Sequence, residues 1–312
     1  MPPESTKKAA ETDIVHHFGG HIDWNESFYF NMYDSETDVC AFMRIGLKPN
    51  RMEKHMFCYL LMPDGTTIGA RDIEAYDGIE LKAAGLRYTK VVSEKEWLLD
   101  YSGEMRKTVG SVVEKKKVSL SLKFEGVNDV YDYAMSKSED RETFSLMAAA
   151  EHVEQFGRLK GELIMDGQRT LLSGLGERDH SWGVGDWIAP TIWTWLSCQF
   201  SEDFAFNLTK LIVDQQVVDA GFVYNNGENE PLTRAEIVTE YMAGGGPRNL
   251  KAWLTNNKGK VYAVEGDVLK TAKLPFTSGL EKNLPVMFET LARFKLGDKT
   301  GFGIAEYLIR LK

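Results

Sequence analysis

Lys117-Val-Ser-Leu-Ser-Leu-Lys-Phe124, KVSLSLKF, alternates without a fault. Val118, Leu120, Leu122 and Phe124 fall on one face and Lys117, Ser119, Ser121 and Lys123 on the other, the period of two that a pleated strand imposes. An apolar face backed by a polar one marks an antiparallel strand with one side on a core and the other in water. Stretches of the same character recur at 28–33, 39–45, 55–62, 193–200, 204–213 and 302–311. Pro63-Asp64-Gly65 and Asn225-Asn226-Gly227 read as hairpin turns between them. So many strands at short spacing predict a mostly β chain, folded as sandwiches or barrels. Helical candidates are few: 139–154, around Met147-Ala-Ala-Ala150, and 233–243, neither with a clean start or stop.

A weak internal repeat points to two β modules. An aromatic strand, an acidic turn and a second strand occur in FYFNMYDSETDVCAFMRIG (28–46) and again in WTWLSCQFSEDFAFNLTKLI (193–212). Each is followed by a strand, a turn, and a segment with an Arg and an acidic residue before Ile, GARDI at 69–73 and TRAEI at 233–237. The 312 residues exceed what one hydrophobic core usually holds, roughly 250 to 300. The expected division is a flexible tail over 1–18, an N-terminal β domain over 19–185 and a C-terminal β domain over 186–312.

Composition narrows the partners. Lys and Arg number 37 against 46 Asp and Glu, a net charge of -9 that argues against nucleic acid. The one basic run, Lys115-Lys116-Lys117, leads into the alternating strand and reads as a solvated strand end. Cys40, Cys58 and Cys198 are scattered, without CxxC spacing, and read as buried thiols. No run approaches the 18 or so apolar residues of a membrane span, and no apolar stretch follows the first lysines, so the expectation is a cytoplasmic protein without stable membrane insertion. Neither GxSxG, HExxH, GxxxxGK[ST] nor a GxGxxG after a strand is found, and Gly244-Gly-Gly-Pro247 reads as a loop. No cofactor is expected. His16-His17 falls in the expected tail and could bind a metal with His21, but adjacent histidines in a loose segment are weak evidence, and no metal is expected.

Chemistry concentrates in Gly174-Leu-Gly-Glu-Arg-Asp-His-Ser-Trp-Gly-Val-Gly-Asp-Trp187, which holds four glycines, two tryptophans and one of the six histidines. If it is extended, Arg178, His180 and Trp182 share one face and Asp179 and Ser181 the other. His180 has the titration range of a general acid or base, and Asp179 or Asp186 could fix its tautomer. Trp182 and Trp187 suit the wall of an apolar cavity, where an indole face also steadies a cationic intermediate. The alternative is structural: hydrogen-bonded His180 and carboxylates, with the tryptophans filling a seam between domains. Two further carboxylates stand out. Glu306 shares parity with Phe302, Ile304 and Leu308, which would turn a carboxylate of raised pKa toward the apolar side. Glu26 opens the aromatic strand NESFYF in the same manner, with a salt bridge or strand-end charge as the alternative for both.

The segments NESFYF (25–30), EQFGRLKGEL (154–163), GLGERDHSWGVGDW (174–187) and GFGIAEY (301–307) resemble a bacterial two-domain lipocalin-like family related to the carotenoid 1,2-hydratase and AttH-like group. Fungal decalin-forming Diels-Alderases are a more distant branch of that architecture. The resemblance runs from about residue 20 to the C-terminus. It implies two tandem calycin-like antiparallel β barrels or sandwiches packed side by side, with few short helices and a hydrophobic small molecule bound inside a barrel or between the two. His180 and Trp182 match the His-x-Trp pair of the hydratases, whereas Phe204-Ala-Phe-Asn-Leu-Thr209 lacks the Tyr-x-Asp pair those enzymes carry further along the chain. The expectation is a cofactor-independent lyase of hydratase or dehydratase type, or an isomerase, acting on a terpenoid, polyene or aromatic substrate. His180 would be the acid or base with Asp179 as its orienter. Trp182 and Trp187 would form the pocket wall, with Arg178, Glu306, Asp186 and Glu26 as further polar contacts. The competing reading is a lipocalin-like carrier or sensor that binds such a molecule unchanged.

Overall fold

The computed structural model describes residues 12–109, 112–136, 151–184, 192–213, 216–275 and 285–310. The first half contains β1 (Trp24–Asp34), β2 (Val39–Lys48), β3 (Glu53–Leu61), β4 (Thr67–Ala75), β5 (Lys82–Ala83), β6 (Leu86–Val92), β7 (Glu96–Val109), β8 (Val112–Gly126), β9 (Tyr131–Asp132), β10 (Glu151–Met165) and β11 (Gln168–Val184). They form one antiparallel sheet in the order β4-β3-β2-β1-β11-β10-β8-β7-β6-β5, with β9 added on β10. A short pairing of Ile68 and Gly69 in β4 with Lys107 and Arg106 in β7 brings this sheet back on itself. The second half contains β12 (Ile192–Ser201), β13 (Phe204–Val213), β14 (Gln216–Asn225), β15 (Glu228–Tyr241), β16 (Pro247–Asn256), β17 (Val261–Pro275), β18 (Pro285–Leu296) and β19 (Lys299–Arg310). It is a closed barrel in which each strand pairs with the next and β19 returns to β12. Two 3-10 turns, Pro49–Arg51 and Tyr133–Met135, are the helical pieces among the described residues.

The alternation read in KVSLSLKF decides how β8 packs: Val118, Leu120, Leu122 and Phe124 are buried in the core of the first half. The two copies of the repeat, 28–46 and 193–212, are the opening hairpins of the two halves, β1–β2 and β12–β13. Gly65 closes the β3–β4 turn and Asn226-Gly227 the β14–β15 turn, all with positive φ, as tight hairpins require. Period-two burial then sorts the apolar residues into three clusters. One fills the first half, around Phe28, Phe30, Trp97 and Phe124. A second fills the closed barrel, around Phe206, Phe288, Phe294 and Tyr307. The third, with Tyr29, Phe42, Phe156, Trp193, Trp195 and Phe222, lies between the halves. Aromatic side chains buried this fully contribute on the order of 1.5–3 kcal/mol each, so the seam is a core in its own right.

Three expectations are corrected. The segment 233–243 is not a helix, because Leu232, Ala235 and Ile237 alternate toward the barrel interior and β15 pairs along β16 through Tyr241. Of the candidate 139–154, residues 139–150 lie outside the described residues and 151–154 open strand β10. Finally, the stretch from Thr12 to Phe18 is no loose tail. Asp13 and Thr12 are buried and bonded into the first half, where Glu94 donates its backbone N–H to Asp13 and accepts from the Thr12 hydroxyl at 2.6 Å. Cys40, Cys58 and Cys198 are buried free thiols. Among the described residues no helix is long and apolar enough to cross a membrane.

Candidate functional site

Strand β11 carries residues 174–184 of the motif 174–187, and its alternation sends side chains to two places. Opposite pairing with β1 sets the register: Trp182 faces Glu26, His180 faces Phe28 and Arg178 faces Phe30, all on the side of the first half's core. Glu177, Asp179 and Ser181 face Asn31, Tyr29 and Ser27 on the opposite side, toward the second half. The glycines make this close packing possible. A Cβ at Gly174 or Gly176 would meet the Tyr33 or Asn31 carbonyl at 2.2 or 1.9 Å, and Gly183 holds a φ of +126°.

On the inner side Arg178, His180, Trp182 and Glu26 form a closed cluster with the segment at 12–16. His180 is fully buried; its Nδ1 lies 2.7 Å from the Thr12 carbonyl and its Nε2 3.0 Å from Glu26 Oε1. A carbonyl only accepts, so Nδ1 donates to it. Phe28 stacks on the imidazole at 3.8 Å. Burial pushes the His180 pKa down even though Glu26 pulls it up. Glu26 also accepts from the His16 backbone N–H at 3.0 Å and meets His16 Nδ1 at 2.7 Å; burial raises its pKa, but the two histidines outweigh this and hold it below the usual value. Trp182 stacks face to face on His16 at 3.8 Å. Arg178 donates to Asp13 Oδ1 and to Gln155 Oε1, each at 2.7 Å, and lies over Trp97. The orienting role expected of Asp179 toward His180 therefore falls to Thr12 and Glu26, because adjacent residues of a strand point to opposite faces.

The outer side borders a cavity of about 620 Å³ between the halves, lined by Asp179, Ser181, Tyr29, Trp193, Trp195, Glu289 and Glu306 among others. This size is that of a small-molecule site. Asp179 Oδ2 lies 3.1 Å from His152 Nε2, which also meets Glu154 Oε1 at 2.8 Å; Trp195 donates its indole N–H to the same oxygen at 3.0 Å. Burial alone would lower the His152 pKa, but Asp179 and Glu154 together push it up to about 10. Burial and the Asp179 charge push Glu154 up to about 7. Beyond it, Asn207 donates to Glu177 Oε1 at 2.9 Å and accepts from the Tyr133 hydroxyl. Burial and Glu154 raise the Glu177 pKa strongly.

Across the cavity Glu306 on β19 and Glu289 on β18 are direct cross-strand neighbours with Trp195 beside Glu306. The two carboxyls meet each other, an arrangement that holds only with a proton between them. Tyr29 donates to Glu289 Oε2 at 3.5 Å. Burial and Glu306 raise Glu289 well above the carboxylate range, and burial pushes Glu306 up to about 7 despite its bond to Glu289.

Of the expected residues, the structure gathers Arg178, His180, Trp182 and Glu26 in one place and Asp179 and Glu306 in another; Asp186 and Trp187 lie outside the described residues. His152, Glu154, Glu177, Glu289 and Tyr133 escaped the sequence reading. The parity argument that singled out Glu306 applies equally to Glu289, between Met287 and Leu291 on one face of PVMFETLARF, and to His152 and Glu154 beside Phe156. On β13, which lacks the Tyr-x-Asp pair, Asn207 instead bonds both Tyr133 and Glu177.

A mostly antiparallel chain of two barrel-like halves with a cavity in the seam between them has a two-domain lipocalin-like fold. Solved structures share the architecture. A protein of Nitrosomonas europaea assigned as AttH superposes with a TM-score of 0.66 at 13% identity, covering 99% of this chain and 98% of that one. CghA in complex with Sch210972 gives 0.62 at 9% identity over 96% and 94% of the two chains. Kievitone hydratase from Nectria haematococca gives 0.59 at 10% over 96% and 94%. No curated protein matches in sequence. The chain belongs to the family described as domain of unknown function (DUF7064), whose family model matches residues 9–310.

Proposed function

We propose that the protein is an acid/base enzyme, a lyase of hydratase or dehydratase type or an isomerase, acting on a small hydrophobic molecule in the seam cavity. The observation that carries this reading is the Glu289–Glu306 carboxyl pair on an aromatic wall, facing a cavity that also holds Asp179 against the His152 imidazole. Carboxyl groups driven apart in proton affinity by their surroundings supply an acid and a base from one residue type. Glu306, which keeps its own proton up to about pH 7 beside the protonated Glu289, delivers that proton to an alkene carbon or to a departing hydroxyl. The indoles of Trp193 and Trp195 face the cation that forms. Asp179 then takes a proton from the attacking water, or from the neighbouring carbon when the outcome is elimination or isomerisation. His152, protonated up to about pH 10, fixes Asp179 in place throughout. His180, Arg178, Trp182 and Glu26 act at one remove, by holding the strand that presents Asp179. The chain's own groups fill both proton-transfer roles, so the reaction needs no cofactor. CghA is described with a bound small molecule and kievitone hydratase by its hydration chemistry, which agrees with this reading.

The test is to incubate the wild type and Glu306→Gln with an extract of lipophilic metabolites and follow bound and converted masses by liquid chromatography and mass spectrometry. The wild type gains or loses one water on a compound, or isomerises it, and the variant does so about 10²–10⁴-fold more slowly. Turnover falls as pH rises through about 7, where Glu306 gives up its proton. A compound retained unchanged by both proteins would make this a carrier instead.

A further inference from the structure

The cavity is polarised, and its basic side is not used by the acid/base chemistry above. One row of side chains crosses the sheet of the first half in register: Glu154, Asp179, Tyr29, Arg44, Phe57 and Arg71, on β10, β11, β1, β2, β3 and β4. It runs from acid to base. Arg44 sits two strands from Asp179, and strands lie about 4.8 Å apart, so their backbones are separated by on the order of 10 Å.

Arg44 is held with care. Its Nε donates to Ser27 Oγ at 2.6 Å and its Nη2 to Asn25 Oδ1 at 3.2 Å. Both acceptors are neutral. Among the described residues no carboxylate lies within ion-pair distance of Arg44 or of Lys48, which follows it on the same face of β2; Asp179 and Glu306 act on Arg44 only through space. Between them Gly46 leaves room: a Cβ there would lie 2.6 Å from Arg44 Nη1. The missing side chain is the bed of the guanidinium. Arg51, bonded to Asp23, adds a third cation on the cavity's rim. A guanidinium cannot shed its proton, so its charge must be answered, and here the chain answers it with amide and hydroxyl oxygens alone.

We propose that the natural substrate is an amphiphile, an apolar body ending in a carboxylate, and that Arg44 binds this carboxylate with Lys48 in support. The proposal rests on the seam cavity being the substrate site. Arg44 offers the planar fork that matches a carboxylate, and a charged acceptor gains charge-assisted bonds that an alcohol does not. The apolar body then lies along Phe57, Tyr29 and the two tryptophans, which places the reacting carbons by Asp179 and Glu306 on the order of 10 Å from the anionic end.

Isothermal titration of the full chain with decanoate and decan-1-ol tests this, since the two share a body and differ in the head. Decanoate binds at least about tenfold more tightly to the wild type. Arg44→Gln abolishes the difference while leaving decan-1-ol binding in place. Arg44→Lys, which keeps the charge and loses the fork, retains part of the preference, which a misfolded variant would not. Equal binding of both compounds to the wild type, or a preference untouched by Arg44→Gln, overturns the carboxylate proposal and leaves the apolar cavity standing. Binding of neither overturns the cavity as a site, and the carboxylate proposal with it.

Discussion

Neighbouring residues of one strand, β11, serve two regions that treat charge in opposite ways. On the inner side Arg178 meets Asp13, and His180 and His16 meet Glu26, so every carboxylate there has a basic group in direct contact. On the outer side, of Asp179, Glu154, Glu177, Glu289 and Glu306 only Asp179 and Glu154 touch a basic group among the described residues, the His152 imidazole, with Arg44 out of contact. Among the described residues one oxygen each of Asp179, Glu154 and Glu177 has no hydrogen-bond partner. Neutralised buried charge fastens a structure together, whereas surplus buried acid raises proton affinity and stores reactivity. Under the proposed function the difference puts stability in the first region and chemistry in the second, although the sequence motif merges them.

The largest effect that can break this division comes from Asp13→Ala. It strands the Arg178 guanidinium, 2% exposed, without its carboxylate, and losing one partner of a buried pair costs about 3–5 kcal/mol. Urea unfolding should show that loss, while decanoate affinity at a temperature where the variant is folded stays at the wild-type value. Unchanged stability together with lost affinity would put the inner cluster in the binding machinery and undo the comparison.

Much of the fold was legible in period-two patterning, because strands that are buried on one face advertise it. KVSLSLKF, the two opening hairpins and the PDG and NNG turns all sit where the pattern puts them. Segment 233–243 misled because Ala235, Glu236 and Glu240 favour helix locally, and only pairing with the distant β16 reverses that. The site was half legible. Parity located Glu306 on an apolar face and separated His180 from Asp179, yet no local pattern reveals that Glu289 meets Glu306 or that His152 reaches Asp179, since those contacts depend on sheet register and on how the halves pack. Thr12 to His16 were unreadable for a similar reason: a polar segment looks free until the buried Arg178 and His180 it neutralises are in place.

A smaller effect, of opposite sign, sharpens the contrast from the outer side. Glu306 holds its proton up to about pH 7 in the folded chain and only to its ordinary value of 4.5 when unfolded, so its contribution to stability is complete below 4.5 and is lost as pH rises through 7. His152 adds a contribution complete below 6.5 and lost as pH rises through about 10. The melting temperature should therefore fall steadily between pH 5 and pH 10. Glu306→Gln removes the carboxyl's share, flattening the slope and stabilising the protein at pH 8 by up to about 3 kcal/mol while turnover collapses. A variant less stable than the wild type at pH 8 would show that Glu306 is a structural partner of Glu289 and no reservoir of acid.

The smallest effect concerns the rim of the inner cluster. His16 bonds Glu26 at 2.7 Å and stacks on Trp182, but its side chain is 17% exposed and water can take its place. Glu26 keeps the His180 ring and the backbone N–H of residue 16 as partners, and water can enter where His16 stood, so His16→Ala should cost only about 1 kcal/mol in urea unfolding. The contrast with Asp13→Ala isolates the variable that matters, which is whether a charge is left buried alone, since both substitutions cut the same segment away from the same barrel. If His16→Ala instead cost as much as Asp13→Ala, the segment from Thr12 to His16 would act as one cooperative latch, and the inner region would owe its stability to docking of the whole segment more than to the pairing of individual charges.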